Sequence, residues 1–233
     1  MLELNPVVDY AINAKGESMN RRDAIFTALS PELAVSMGVV ADLLQDNPDL
    51  NSVRKKLDFG SDEYWNHWGS RFLEGRVPRH YSQADTVPDP LISLILKDYF
   101  KVGAELLESA GEVHSLSMIA ENATGELLER YLATVLEPLG WIWCSGSSIK
   151  KIDFVGPLKN GERQLLQVKN RDNSENSSSA SVRNGTKISK WFRSKSKTGV
   201  TRWDLFPDSM AVKKLSEIEF KNFALNYLVN LPK

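Results

Sequence analysis

The stretch IKKIDFVGPLKNGERQLLQVKNR, Ile149 to Arg171, sets two apolar runs on either side of Asn160-Gly161. Both central residues of a type I′ turn hold positive φ, which Asn and Gly tolerate best, so the dipeptide predicts a hairpin joining two strands. Side chains alternate along a strand, and Gln167 and Lys169 therefore share a face of the second one. Asp153 lies on the first, with thirteen residues between it and Gln167. Paired as a hairpin, the strands bring Asp153 within side-chain reach of both, and a carboxylate, an amide oxygen and an ammonium converge at one edge. Hard divalent cations such as Mg2+ take carboxylate, carbonyl and water oxygens. A lysine beside them can steady an attacking water or the charge growing on a phosphate. The trio suits metal-assisted hydrolysis of a phosphodiester.

Working outward, TGELLERYLATVLEPLGW places Leu127, Leu128, Tyr131, Leu132 and Val135 on one helical stripe, closed by Pro138-Leu139-Gly140. WIWCSGSSIKKIDFVG continues as strand, with Cys144 a buried strand residue, so the order is helix, strand, strand, turn, strand. The chain before this reads as helical. SPELAVSMGVVADLLQ takes Ser30 as N-cap and Pro31 as first helical residue, and SDEYWNHWGSRFLEG takes Ser61 as cap and Gly75 as stop. DPLISLILKDYFKVGAELLESAG reads as one largely buried helix. After the hairpin, a short helix is expected around Ile188 to Phe192, and a final one in DSMAVKKLSEIEFKNFALNYLVNL with Leu215, Phe220 and Phe223 toward the core. The expected class is α/β, a sheet with helices packed on it and an all-helical N-terminal part. The expected division is 1–112, helical, serving dimerisation or clamping DNA, and 113–233, the catalytic and recognition core.

Charge is unevenly spread. The 233 residues carry a net −1, yet Arg183 to Arg202 holds seven basic side chains and no acidic one, leaving −8 on the rest. A basic segment on an acidic body suits a polyanion held at one place; a solvated basic loop is the plain alternative. One cysteine excludes an internal disulfide, no apolar run is long enough to span a bilayer, and the first residues lack the regions of a secretory signal. A cytoplasmic location is the expectation. His67, His80 and His114 show no metal-ligand spacing.

KKIDFV followed by LLQVKNR resembles the active-site hairpin of the PD-(D/E)XK nuclease superfamily, an Asp followed on the next strand by acid-x-Lys. GELLERYLATVLEPLGW is similar to that family's first core helix, with Gly125 and Glu129 in the matching positions. The polar tract VKNRDNSENSSSASVRNGT looks like type II restriction endonucleases of the SinI-like group, whose members resemble this chain in size. The resemblance implies a restriction-endonuclease-like core with a central mixed sheet. It implies Asp153, Gln167, Lys169 and Glu129 as catalytic residues, with Mg2+ held by Asp153, Gln167, Val168 and Glu129. Glu126, one turn before Glu129, competes for the helix position, and an exposed ion pair with Arg130 is its alternative use. Gln167 replaces the family's usual acid and removes one negative charge, so metal affinity is expected to be low until DNA supplies another ligand.

The tract after Lys169 then meets DNA. Asn170, Arg171, Asn173, Asn176, Arg183 and Asn184 are candidate base or phosphate contacts, since Arg pairs with guanine and Asn with adenine. Ser174 and Ser177 suit phosphates, and Lys187, Lys190 and Arg193 add non-specific attraction. A flexible Ser/Asn linker is the alternative. Trp191, Phe192 and Trp203 suit core packing better than wedging beside a base. The resemblance further implies double-stranded DNA cut once per strand at a near-palindromic site of the type GG(A/T)CC, leaving 5′-phosphates. It implies a homodimer and a cognate DNA methyltransferase. The competing readings are a structure-specific or repair endonuclease of the same superfamily, and a non-catalytic DNA-binding module with a degenerate site.

Overall fold

The computed structural model describes residues 20–81, 90–172 and 187–231. They fall into two compact units, each assembled from distant parts of the chain. One takes 20–77, 140–167 and 187–190; the other takes 78–81, 90–139, 168–172 and 191–231.

The first unit opens with α1 (Arg21–Leu29), α2 (Ala34–Asp46), a 3-10 turn (Pro48–Leu50) and α3 (Asp62–Glu74). α3 is built as its sequence predicts. The Ser61 side chain accepts the Tyr64 N–H, Asp62 and Glu63 sit in the first turn, and Gly75 caps the end. α1 was not expected, because Phe26 is its one fully buried residue and a single buried position leaves no periodic signal. Its presence moves the next helix: Ser30 ends α1, donating its N–H to Phe26 O at 2.9 Å, and α2 begins at Ala34 rather than Pro31.

The sheet has the order β1 (Ile142–Trp143), β2 (Phe154–Lys159), β3 (Glu162–Arg171), β4 (Ile188–Ser194). β1–β2 and β2–β3 are antiparallel, and the whole is mixed, the class expected. The predicted hairpin is present: Lys159 pairs with Glu162 across Asn160 (φ 54) and Gly161 (φ 82). Residues 188–192 form strand rather than the expected helix; pairing alongside β3 decides a segment whose local pattern was ambiguous. Phe26, Met37, Val40, Leu44, Trp65, Trp68 and Phe72 from the helices pack with Ile142, Cys144, Ile152, Val155 and Ile188 in one core.

The second unit contains α4 (Pro90–Asp98), α5 (Ala104–Leu136), a 3-10 turn (Trp203–Leu205), α6 (Ser209–Val212) and α7 (Glu217–Val229). The single helix expected over 89–111 is two, broken where Lys101 takes φ 56 and Gly103 caps α5. α5 then runs unbroken through the stripe predicted from Leu127, whose Leu127, Leu128, Tyr131 and Leu132 are buried. The expected final helix is likewise split, Ser216 capping α7 by accepting the Glu219 N–H. Leu215 and Phe220 are buried, and the Phe223 ring lies 5.8 Å from that of Tyr131. Trp191 and Trp203 pack in this aromatic cluster, their rings 5.3 Å apart, as core side chains. Among the described residues no helix is long and apolar enough to cross a membrane.

Candidate active site

Asp153 arrives at β2 through a connection fixed to α3. Ser145 Oγ donates to Phe72 O (2.6 Å), the Trp68 indole N–H to Ser148 O (2.8 Å) and Arg71 to Gly146 O (3.2 Å). The two backbones touch so closely that a Cβ on Gly146 would lie 1.8 Å from Arg71 O. The Lys150 N–H bonds Leu50 O, and Lys151 turns the chain with φ 66 into Ile152 and Asp153. Rigid support of this kind lets a side chain be held rather than sampled.

Asp153 itself is anchored on both sides by its main chain: its N–H donates to Leu166 O and its C=O accepts from Cys144 N–H, both at 2.9 Å. Phe154 also pairs with Leu166, so two residues of one strand address a single residue of the other. That is the arrangement of a β-bulge, which re-aims a side chain at a strand end. Asp153 and Gln167 are therefore the next residues outward from the Phe154–Leu166 pair on neighbouring strands. Asp153 is half-buried and Gln167 is 5% exposed. A buried amide carries no net charge to desolvate. Lys169 follows two positions along β3, half-buried, on the alternation that Gln167 begins.

Glu129 and its competitor both lie on α5 in the second unit. Glu126 is committed: it accepts from Arg130 at 2.9 Å and from Arg79 Nε at 2.8 Å, and Arg130 stacks 5.3 Å over the Tyr227 ring. The pull of Glu126 holds the Arg79 guanidinium above its ordinary pKa, and burial pushes Tyr81 up to about 12. Glu129 is half-buried one turn later. The ion pair between Glu126 and Arg130 was legible from their spacing; the third member, Arg79, carried no local signal.

The DNA-contact candidates separate into three groups. Asn173, Ser174, Asn176, Ser177, Arg183 and Asn184 lie outside the described residues. Arg171 is exposed, Lys187 pairs with Glu162 at the surface, and Lys190 is half-buried. Arg193 is already engaged, giving Nη1 to both Glu217 oxygens (2.7 and 2.8 Å) and Nε to Asn170 Oδ1 (2.9 Å). Ser194 Oγ donates to Asn170 O, and the Ser196 N–H to Asp172 Oδ1 (2.8 Å). Arg193 and Asn170 thus tie β4 to the end of β3. Ser196 also holds the Asp172 carboxyl below its ordinary range.

Among the described residues no three His, Cys, Asp or Glu side chains gather as a metal site. Asp153 carries a carboxylate and Gln167, the next residue outward on β3, an amide carbonyl, both hard oxygens. That set fits Mg2+, which accepts few protein ligands and retains water, and does not fit a zinc site.

A mixed four-stranded sheet with flanking helices is the α/β arrangement of the restriction-endonuclease-like class. The family model of the SinI restriction endonuclease matches residues 19–230, and the chain belongs to that family. It is 44% identical over 224 residues to the type II restriction enzyme Eco47I of Escherichia coli, covering 94% of this chain and 96% of that one. It is 40% identical over 232 residues to the type II restriction enzyme SinI of Salmonella infantis, covering 97% and 98%. The chain is accordingly an enzyme, a site-specific endodeoxyribonuclease of type II.

Proposed function

We propose that the enzyme hydrolyses one phosphodiester in each strand of a near-palindromic duplex site of the type GG(A/T)CC, using Mg2+. Asp153, Gln167, Lys169 and Glu129 carry the reaction. The observation that supports this most is the hairpin: Asp153 bonded to Leu166, Gln167 next along, and Lys169 two residues further. The recognition sequence rests on the family resemblance alone.

Asp153, the Gln167 amide oxygen, the Val168 carbonyl and Glu129 would hold the cation. Bound there, Mg2+ supplies Lewis acidity, easing formation of hydroxide at neutral pH and offsetting charge on the phosphate. The Lys169 ammonium orients the attacking water and donates to a non-bridging phosphate oxygen as negative charge builds there. Glu129 positions a water opposite the leaving group. Attack forms a new P–O bond and breaks the bond to the 3′ oxygen, which takes a proton, leaving 5′-phosphate and 3′-hydroxyl. Arg171, Lys187 and Lys190, with the tract from Asn173 to Asn184, supply phosphate and base contacts; Arg193 and Asn170 position them from β4 and β3. Since each chain has one such centre, a homodimer serves a two-fold site. A methyltransferase of matching specificity would protect the host DNA.

The test is digestion of a fully sequenced phage DNA by the wild type and by Lys169→Ala, each with Mg2+ and with EDTA. Discrete, Mg2+-dependent fragments are expected, with ends that give the site and activity at least about 1,000-fold lower in the variant. Full cutting by Lys169→Ala would overturn the assignment, and cutting that ignores sequence would overturn the specificity.

A further inference from the structure

Ten of the twenty-one large hydrophobic side chains exposed among the described residues fall between Leu91 and Met118, on α4, the link after it and the first half of α5. Ile92, Leu94 and Ile95 on α4 are 51, 54 and 44% exposed; Tyr99 and Phe100 in the link are 77 and 64% exposed. On α5, Leu106 and Val113 stand seven residues apart, two helical turns along one face, at 66 and 58% exposure. Side chains of this size leave on the order of 100 Å² each in water, so the ten together expose roughly 1,000 Å² of apolar surface. Monomers rarely expose more than a few hundred Å² of contiguous apolar surface, and a standard dimer needs about 800 Å² from each partner.

From these exposed side chains and their charges we infer that α4, the link after it and the first half of α5 form the surface through which two copies of this chain associate. Among the described side chains of 90–118, two exposed lysines, Lys97 and Lys101, stand against three exposed acids, Asp98, Glu105 and Glu112. A net-negative apolar surface repels phosphate, so it is neither a DNA clamp nor a seat for an anionic membrane. Both signs are present in one segment, which lets a two-fold related copy set lysines against acids around an apolar centre. The inference deepens the endonuclease reading, which it uses only for the expectation that two centres meet on one duplex.

The experiment measures mass by light scattering on the full chain without DNA, for the wild type and for Leu94→Glu combined with Leu106→Glu. Both positions are more than half exposed, so the variant is expected to keep its helical circular dichroism and melting temperature. The wild type should weigh twice 26.2 kDa and the variant 26.2 kDa. Double-strand cutting should fall on the order of tenfold or more in the variant by mass action. A variant that stays dimeric overturns the inference, and so does a wild type that remains a monomer at micromolar concentration. Should the double variant not fold, Val113→Cys with a short bis-maleimide replaces it, since the native Cys144 is only 4% exposed. Joined pairs support the surface; monomers alone overturn it. Digestion by the wild type is scored separately. Loss of mass in the variant beside an inactive wild type would sink the nuclease reading and leave the surface standing. Discrete fragments from the wild type beside a dimeric variant would do the reverse.

Discussion

In the site proposed above, Gln167 stands where a metal site would ordinarily carry a charge. The amide is almost fully buried beside the strand end that carries Asp153. A second carboxylate there would repel the first whenever the cation is absent. Gln167→Glu should therefore bind Mg2+ more tightly, lowering the concentration for half-maximal cutting by about tenfold. It should also melt at a lower temperature than the wild type in EDTA and recover more of that loss when Mg2+ is added. A metal titration of cutting and of thermal unfolding checks both; unchanged titrations would place the cation elsewhere. The hairpin that carries Asp153 and Lys169 was readable because its turn dipeptide and alternation are local signals. Arg193 was not, because a guanidinium in a basic run looks the same from sequence whether it meets phosphate or, as here, Glu217 across an element boundary.

At the scale of elements, the connection from β1 to β2 owes its position to α3. Gly146→Ala drives a methyl into Arg71 O, main chain against main chain, with no flexible neighbour to yield. A loss on the order of 4–5 kcal/mol is expected, read as a much lower melting temperature in a melt followed by tryptophan fluorescence. Tyr64 on α3 gives a pH signature. Burial pushes its hydroxyl, which donates to Asn51 Oδ1 at 2.9 Å, from 10.0 up to about 12. A raised folded value means its contribution is full below pH 10 and is lost as pH climbs through about 12. The melting-temperature gap between wild type and Tyr64→Phe should shrink across that window; a constant gap would refute the assignment. The hairpin, α3 and the apolar stripe of α5 were legible, since each carries its own turn, cap or period. α1, the break at Lys101 and the strand at 188–194 were not, because contacts distant in sequence decide them.

Across the whole molecule, charge is segregated. The basic segment from Arg183 sits in a chain otherwise at −8, so attraction to DNA is concentrated in a few side chains and should weaken steeply with salt. Lys197 is exposed within that segment. Lys197→Gln should weaken binding similarly to any duplex and reduce the logarithmic salt slope by about 0.9, read from gel shifts at several salt concentrations. A loss confined to one sequence would instead make Lys197 a reader of bases.

The bonds that join α3 to the β1–β2 connection span 73 to 80 residues of chain. On the ribosome this separation becomes a delay. At about 5–20 residues per second, α1 to α3 wait roughly 4–16 s after emerging before the strands that cover their apolar face are made. The intervening segment, which includes α4 and all of α5, must emerge first. An enzyme that cuts DNA thus cannot complete its hairpin early in synthesis, and the waiting helices are the stage at which a chaperone would find it.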